Sequence, residues 1–195
     1  MNALNAGTNP ATAVTDIISS ANGGGGNMVF VALSDTTDIA AMTWNGTAWD
    51  TPVANSYAKY FAIAGGYMWY ADRTNNVYYS SDPTVNGGWS AAIPVGWKHH
   101  KITALCEFNG QLYVGKENGL YVIDGVGTTG ELARSVLVFR YQIKANDNRM
   151  KPLVEWNGYL YFRFWETWYR MAPGGAIAEV TPPKFGVTFP YAHYH

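Results

Sequence analysis

A short motif recurs four times along the chain: a glycine followed by four residues that are mostly apolar or aromatic. The copies are Gly26-Asn-Met-Val-Phe, Gly66-Tyr-Met-Trp-Tyr, Gly110-Gln-Leu-Tyr-Val and Gly158-Tyr-Leu-Tyr-Phe. Their glycines lie 40, 44 and 48 residues apart along the chain. A period of this length is typical of a supersecondary unit that buries its apolar surface against copies of itself. This repeat constrains the fold more than any other feature of the sequence.

The third copy shows what one unit contains. Its pattern predicts three short strands, which span Ile102–Phe108, Gln111–Gly115 and Leu120–Asp124. Tight turns are expected between them at Asn109-Gly110 and at Glu117-Asn118-Gly119. An Asn-Gly pair favours a two-residue hairpin turn because both residues tolerate a positive φ.

A fourth strand is expected in every unit, beginning near Ala48-Trp49, Gly88-Trp89, Glu131-Leu132 and Ala176-Ile177. Four strands at this period are the pattern of a β-propeller blade. The second strand of each unit shows little polar alternation, which is typical of a strand covered on both faces. The sequence therefore predicts an all-β fold, a β-propeller of four visible four-stranded blades. The propeller is expected either to close as four blades or to form an arc of a larger ring.

The expected domain organisation follows from the repeat. The propeller spans residues 12–180, with blades at about 12–55, 56–97, 98–148 and 149–180. Residues 1–11 are small and polar, so they are interpreted as a tail or linker. Residues 181–195 are too few for a blade and are expected to supply a closing strand or the start of a truncated blade. An open arc would expose an apolar sheet face, so it would require another chain or an oligomer.

Composition narrows the classes of function. Only 14% of the 195 residues are charged and the net charge is −1, which gives no electrostatic reason to expect nucleic acid as a partner. No run of 18 apolar residues exists, so no membrane span is expected. The first 16 residues lack the basic and apolar regions of a secretory signal. The single cysteine, Cys106, lies in a predicted strand and is interpreted as a small buried apolar residue.

One turn in the second unit carries a more specific motif. The segment Ser80-Ser-Asp82-Pro-Thr-Val-Asn-Gly-Gly88-Trp89 resembles the Asp box of sialidase-type propellers, Ser-x-Asp-x-Gly-x-x-Trp. The resemblance implies that Asp82 caps a turn between the third and fourth strands, with Ser80 beside it, and that Trp89 packs into the blade. The glycines come later here than in the family motif. The units also resemble blades of bacterial surface proteins and of tail or capsid-associated proteins of bacteriophages.

Catalysis of the sialidase type requires a nucleophilic tyrosine, an acidic residue and three arginines that hold the substrate carboxylate. The chain has six arginines, but none stands in an arginine motif recognisable from that family. Those enzymes close six blades, whereas four units are visible here. The histidine pairs His99-His100 and His193/His195 are interpreted as solvated loop residues. No catalytic residue, metal site or cofactor is therefore predicted.

Recognition of a ligand or partner is the favoured hypothesis. Exposed aromatic and charged residues of connections and turns are the candidate contacts, namely Trp97, Tyr141, Arg163 and Trp165. An aromatic at a hairpin tip has no core to fill, although Trp165 is equally suited to staple a neighbouring blade. The sequence favours a non-enzymatic binding or structural module of a virion or extracellular assembly, which contacts other protein chains or a cell-surface glycan. A sialidase-type glycoside hydrolase and a kelch-like protein-interaction scaffold remain the alternatives.

Overall fold

The structure is a computed structural model, and it describes residues 14–20, 28–33, 39–43, 49–53, 58–72, 74–83, 88–126, 133–140, 150–164 and 167–180. Within these ranges, sixteen strands form four antiparallel sheets of four strands, and no residue is helical. The all-β prediction is thus confirmed. None of the described segments is a helix with the length and hydropathy needed to cross a membrane. The predicted tail (1–11) and the final segment (181–195) lie outside the described residues.

Each sheet is a meander, in which strands that are consecutive in the chain are hydrogen-bonded neighbours. Sheet 1 contains β1 (Val14–Ser20), β2 (Met28–Leu33), β3 (Ile39–Thr43) and β4 (Trp49–Val53). Sheet 2 contains β5 (Tyr60–Ala64), β6 (Tyr67–Ala71), β7 (Asn76–Ser80) and β8 (Ile93–Pro94). Sheet 3 contains β9 (Ile102–Phe108), β10 (Gln111–Lys116), β11 (Gly119–Asp124) and β12 (Arg134–Arg140). Sheet 4 contains β13 (Met150–Trp156), β14 (Tyr159–Phe164), β15 (Thr167–Met171) and β16 (Ile177–Glu179).

The predicted Asn-Gly turns are present in sheets 3 and 4. Asn109 and Gly110 have φ values of 52° and 78°, so both central residues occupy the left-handed region that a type I′ hairpin requires. A glutamate stabilises each turn. The Gly110 N–H donates a 2.6 Å hydrogen bond to Glu107 Oε1, and the Gly158 N–H donates one of 3.0 Å to Glu155 Oε1.

The four sheets follow one another in chain order. Their first strands lie side by side, with β1 against β5, β5 against β9 and β9 against β13. Among the described residues, sheet 1 and sheet 4 share no extensive contact of this kind. Each sheet therefore packs face to face on the next, and three cores lie between four sheets.

Alternate side chains of the second strands of sheets 2 and 3 belong to different cores. In β6, Met68 packs in the core shared with sheet 1, whereas Trp69 packs in the core shared with sheet 3. In β10, Leu112 faces sheet 2 and Tyr113 faces sheet 4. This alternation is the period of two of an extended chain. It explains why β6 and β10 are largely apolar on both faces, because neighbouring sheets cover both faces of these two strands.

The core between sheets 3 and 4 is built from aromatic rings. Phe162 is fully buried, stacks on Tyr169 at 5.5 Å and meets the edge of Phe139 at 5.3 Å. Burying a phenylalanine side chain contributes about 1.5–3 kcal/mol. The aromatic content of the repeat therefore fills the space between facing sheets.

The fourth strand of sheet 2 differs from the prediction, because it begins at Ile93 rather than near Gly88-Trp89. The Ser90 N–H still donates to the Tyr79 carbonyl at 2.8 Å. However, the Tyr79 N–H donates to the Ser90 hydroxyl at 3.1 Å instead of to a main-chain carbonyl. The side chain thus interrupts the ladder, and regular pairing begins again only at Ile93.

Candidate functional site

The connection between β8 and β9 projects an aromatic residue into solvent at one end of sheets 2 and 3. Its Trp97 side chain is 73% exposed. The His100 N–H donates a 3.2 Å hydrogen bond to the Trp97 carbonyl, which closes a four-residue turn. Lys98 and His99, within this turn, are also exposed. We refer to residues 97–100 as the Trp97 turn, and its tip presents one indole ring and basic side chains.

A buried lysine side chain stabilises the Trp97 turn by a hydrogen bond to its main chain. Lys116 ends β10 and is fully buried, and its Nζ donates a 2.8 Å hydrogen bond to the Trp97 carbonyl. The same amine also donates to the Val95 carbonyl and to Asn75 Oδ1. Because Asn75 lies in the turn between β6 and β7, one ammonium group joins sheet 2, the connection and sheet 3. Desolvation lowers the pKa of Lys116 to about 8, although the Glu117 carboxylate acts in the opposite direction.

Gly96 allows the connection to pass close to sheet 3. Its φ is +52°, and a Cβ at this position would lie 2.5 Å from the Tyr121 ring. The Gly96 N–H donates to the Ser135 hydroxyl at 3.2 Å, and that hydroxyl donates to the Pro94 carbonyl at 2.9 Å. The main chain on the N-terminal side of Trp97 is therefore fixed by sheet 3.

The two adjacent histidines have different surroundings. His99 is exposed, whereas His100 is half-buried with its Nδ1 3.9 Å from Glu117 Oε2. The same carboxylate oxygen accepts a 3.0 Å hydrogen bond from the Lys101 N–H. No group of three or more metal-ligating side chains occurs within the described part of the chain. The pair His193/His195 lies outside that part.

A buried aspartate positions Asn75, the partner of Lys116. Asp72 Oδ1 accepts hydrogen bonds of 2.9, 2.8 and 2.9 Å from the main-chain N–H groups of Thr74, Asn75 and Asn76. Asp72 Oδ2 accepts a further bond of 2.8 Å from the Asn76 side chain. Sequence reasoning missed both Asp72 and Lys116. The available signal was the segment Asp72-Arg-Thr-Asn-Asn, because an aspartate before small polar residues is typical of an Asx turn.

The residues of the Asp-box resemblance lie at one hairpin of sheet 2. The Ser80 hydroxyl donates a 2.7 Å hydrogen bond to the Gly88 carbonyl and accepts one of 3.1 Å from the Asp82 N–H. The Trp89 ring meets the edge of Tyr70 at 4.8 Å, in the core shared with sheet 1. Asp82 is half-buried, and residues 84–87 of the turn lie outside the described ranges.

Of the other predicted contact residues, the structure describes Arg163, which does not share a site with Trp97. Arg163 lies in β14 of sheet 4, directly across from Trp168 of β15. Tyr141 and Trp165 fall outside the described residues. Trp97 and Arg163 therefore belong to different parts of the fold.

The face of sheet 4 that is turned away from sheet 3 is aromatic, and we call it the far face of sheet 4. By strand alternation it consists of Val154, Trp156, Tyr159, Tyr161, Arg163, Trp168 and Arg170. Trp156 is 65% exposed and Val154 is 45% exposed. The Arg170 guanidinium lies 5.0 Å from the centre of the Tyr159 ring, a cation–π arrangement.

Two solved lyase structures have a similar fold. A streptogramin B lyase superposes with a TM-score of 0.61 at 18% identity, over 88% of this chain and 55% of the lyase. The virginiamycin B lyase of Staphylococcus aureus gives a TM-score of 0.63 at 16% identity, over 90% and 57%. The fold is a β-propeller. This chain thus spans little more than half the length of either lyase.

An extracellular propeller is similar to the same extent. The extracellular domain of a putative one-component system of B. thetaiotaomicron superposes with a TM-score of 0.60 at 13% identity, over 90% of this chain and 23% of that protein. No protein-family model matches the chain, and no curated protein sequence matches it significantly.

Because the fold is a β-propeller, sheets 1 to 4 are its blades 1 to 4.

Proposed function

We propose that the chain is a non-enzymatic structural and binding module whose four blades form an arc of a larger propeller. Further blades, supplied by additional protein, complete the ring in an extracellular or virion assembly. The observation that carries this proposal is the exposure of Trp156 on the far face of blade 4.

Trp156 occupies a position that is buried in the preceding blade. Phe108 and Trp156 each stand immediately before the Asn-Gly turn of their blade. Phe108 is 3% exposed because blade 4 covers it, whereas Trp156 is 65% exposed. Tyr113 and Tyr161, each three residues after the repeat glycine, differ in the same direction, since Tyr113 is buried and Tyr161 is half-buried. The sequence of blade 4 is therefore suited to a further blade on its far face.

Two other observations support the proposal. The chain matches 55% and 57% of the two lyases, so proteins of this fold continue well beyond four blades' length of chain. The third similar structure is an extracellular domain, which supports an extracellular setting. Low charge and abundant aromatic residues suit a module whose blade faces are covered by other blades.

Light scattering coupled to size-exclusion chromatography tests the arc. We expect the wild-type chain to self-associate or to bind the dye ANS, because no described residue of another blade covers the far face of blade 4. Trp156→Glu should shift the chain towards a monomer near 21.5 kDa. Trp97→Glu is the matched control and should leave the association unchanged. A wild-type monomer that binds no ANS would overturn the proposal.

Carbohydrate recognition at the Trp97 turn is a second candidate function. The supporting observation is an indole ring that is 73% exposed on a main chain held by Lys116. An aromatic ring whose backbone is already ordered binds at a lower entropic cost. A glycan array tests it: Trp97→Ala should remove binding to at least one glycan that the wild type recognises, and Trp156→Ala should not. No described residue set specifically favours the sialidase-type hydrolase or the kelch-like scaffold.

A further inference from the structure

A cavity of about 170 Å³ lies between blades 2 and 3, at the end of the strands opposite the Trp97 turn. Its rim is formed by the turns between β5 and β6 and between β9 and β10, and by the residues that follow β11. Gly65, Gly110 and Gly125 bring main chain to this rim, and each has a positive φ. We call this space the interblade cavity.

Two aromatic residues line one wall of the cavity, the half-buried Tyr67 and the almost fully buried Trp69. Trp69 is only 2% exposed, and its indole N–H donates a 3.0 Å hydrogen bond to the Ala64 carbonyl. Its polar atom is therefore already used within blade 2. Tyr67, which also lines the cavity, packs edge-on against Tyr79 at 5.0 Å and remains half-buried. The rings are thus held in place before any ligand arrives.

Three polar side chains line the same cavity. Neither the Gln111 carboxamide nor the Tyr67 hydroxyl forms a hydrogen bond with any residue that the structure describes. The third is Asp124, whose carboxylate lies 3.6 Å from the Arg134 guanidinium. A concave site with a few polar groups that converge on it is the usual form of a small-ligand site.

The charges at the cavity narrow the class of ligand. An anion would be repelled by Asp124, and a cation would compete with Arg134 for that carboxylate. An apolar ligand would take Gln111 and Asp124 out of water without hydrogen bonds, which is costly. A neutral ligand with several hydroxyl groups is not repelled by Asp124 and does not compete with Arg134. Its hydroxyl groups also provide hydrogen bonds to Gln111 and Asp124. Since liquid water takes about 30 Å³ per molecule, the volume holds roughly six waters, which suits a monosaccharide unit.

We infer that the interblade cavity binds one neutral pyranose unit, with Gln111, Tyr67 and Asp124 bonding its hydroxyl groups. The accessible part of the Tyr67 ring packs against the apolar face of the sugar, and the enclosed Trp69 ring supports it from behind. This inference rests on the proposed carbohydrate recognition for its ligand class, but it assigns a site distinct from the Trp97 turn. The two sites lie at opposite ends of the strands of blades 2 and 3.

Amide NMR shifts of the full chain, titrated with the neutral methyl glycosides of glucose, galactose, mannose and N-acetylglucosamine, test the site. At least one glycoside should shift the backbone amides of Gly65, Gly110 and Gly125. Gln111→Ala should weaken that binding roughly 3- to 10-fold, the worth of one net hydrogen bond. Gln111 is exposed, so this variant should fold. Glu179→Ala, an exposed substitution in β16 of blade 4, is the control and should leave the shifts of these three amides as in the wild type.

Other outcomes separate this inference from the function on which it rests. If glycosides bind but only Trp97→Ala weakens them, carbohydrate recognition stands and the interblade cavity is wrong. If glucuronate or choline shifts the three glycine amides more strongly than any neutral glycoside, the ligand class is wrong. If no probe shifts these amides at millimolar concentration, the inference is overturned, whatever the glycan array shows.

Discussion

The Lys116 ammonium donates a 2.8 Å hydrogen bond to the main-chain carbonyl of Trp97, so the buried end of a blade 3 strand fixes an exposed residue of the preceding connection. The network continues into blade 2, because Lys116 also donates to Asn75 and the Asn75 N–H donates to Asp72. Counted from the repeat glycine, Asp72, Lys116 and Phe164 occupy the same position in blades 2, 3 and 4. At this position blade 4 has the apolar Phe164, whereas blades 2 and 3 have the polar residues Asp72 and Lys116, which Asn75 connects.

Lys116→Met should lower the free energy of unfolding by about 2–4 kcal/mol. The substitution keeps the volume but leaves the Trp97 and Val95 carbonyls and Asn75 Oδ1 without their donor, and each buried unsatisfied group costs about 1–3 kcal/mol. Urea denaturation followed by circular dichroism measures the change. Lys98→Met, on the exposed side of the same turn, should change stability by less than about 0.5 kcal/mol. Equal effects of the two substitutions would contradict the assigned role of Lys116.

The contribution of Lys116 to stability should increase with pH. Its pKa is about 8 in the folded chain and 10.5 ordinarily, so between these values the unfolded chain holds the proton and the folded chain does not. Stability rises with pH wherever the unfolded state binds more protons. Burial raises the pKa of the Cys106 thiol from 9.0 to about 11. Above pH 9 the folded chain therefore keeps a proton that the unfolded chain loses, so this group lowers the stability as the pH rises.

The comparison of wild type with Lys116→Met separates these two effects, because Cys106 is present in both chains. The difference in urea midpoint, wild type minus variant, should grow from pH 8 to pH 10.5. Below pH 8 the difference should be constant, since Lys116 is then protonated in both states. A difference that stays constant or shrinks as the pH rises from 8 to 10.5 would show that the pKa of Lys116 is not lowered in the folded chain.

Gly96→Ala should destabilise the chain by about 1–3 kcal/mol and displace the Trp97 turn. The new Cβ would lie 2.5 Å from the Tyr121 ring, at a φ of +52° that side chains rarely adopt. Thermal unfolding measures the first effect, and the amide NMR shifts of residues 97–100 report the second. Gly174→Ala is a suitable control, because no atom lies within 4 Å of a Cβ built there. If Gly96→Ala were neutral, the close approach to Tyr121 would not constrain this connection.

Asp72→Ala should cost about 2–4 kcal/mol of folding free energy. Three main-chain N–H groups of the turn between β6 and β7 donate to Asp72 Oδ1, and they would lose their acceptor in a largely buried site. Asp124→Ala removes an exposed carboxylate with one ion pair, so it should cost less than about 1 kcal/mol. Chemical denaturation of both variants makes the comparison. Similar losses would contradict the dominant role of Asp72.

Local chemistry made the strands and turns predictable. Asn109-Gly110 demands positive φ at two successive residues, and alternation along Gln111–Lys116 follows from the geometry of an extended chain. The start of β8 was not predictable, because the Ser90 hydroxyl replaces a main-chain acceptor and displaces the strand to Ile93. A side-chain hydroxyl that takes the place of a main-chain acceptor does not change the hydrophobic periodicity of the sequence, so the pattern could not predict it.

The candidate sites were predicted only in part. Trp97 was predicted as a candidate contact because a tryptophan in a polar connection has no core to fill, and the structure shows its side chain exposed. Lys116 was hidden, because a lysine next to a predicted turn is ordinarily solvated, and its three acceptors come from distant parts of the chain. The interblade cavity forms where Tyr67 and Gln111 meet across two blades, a proximity that no local pattern encodes.

The sorting of alternate side chains into two cores makes β6 and β10 intolerant of a shift in register. Deleting one residue from β10 would exchange the surfaces that Leu112 and Tyr113 present, so the core shared with blade 2 and the core shared with blade 4 would each receive the other's side chains. Adding or losing an entire blade preserves every surviving register. Evolution of this chain is therefore expected to change length in whole repeats within the sheets and residue by residue only in the connections.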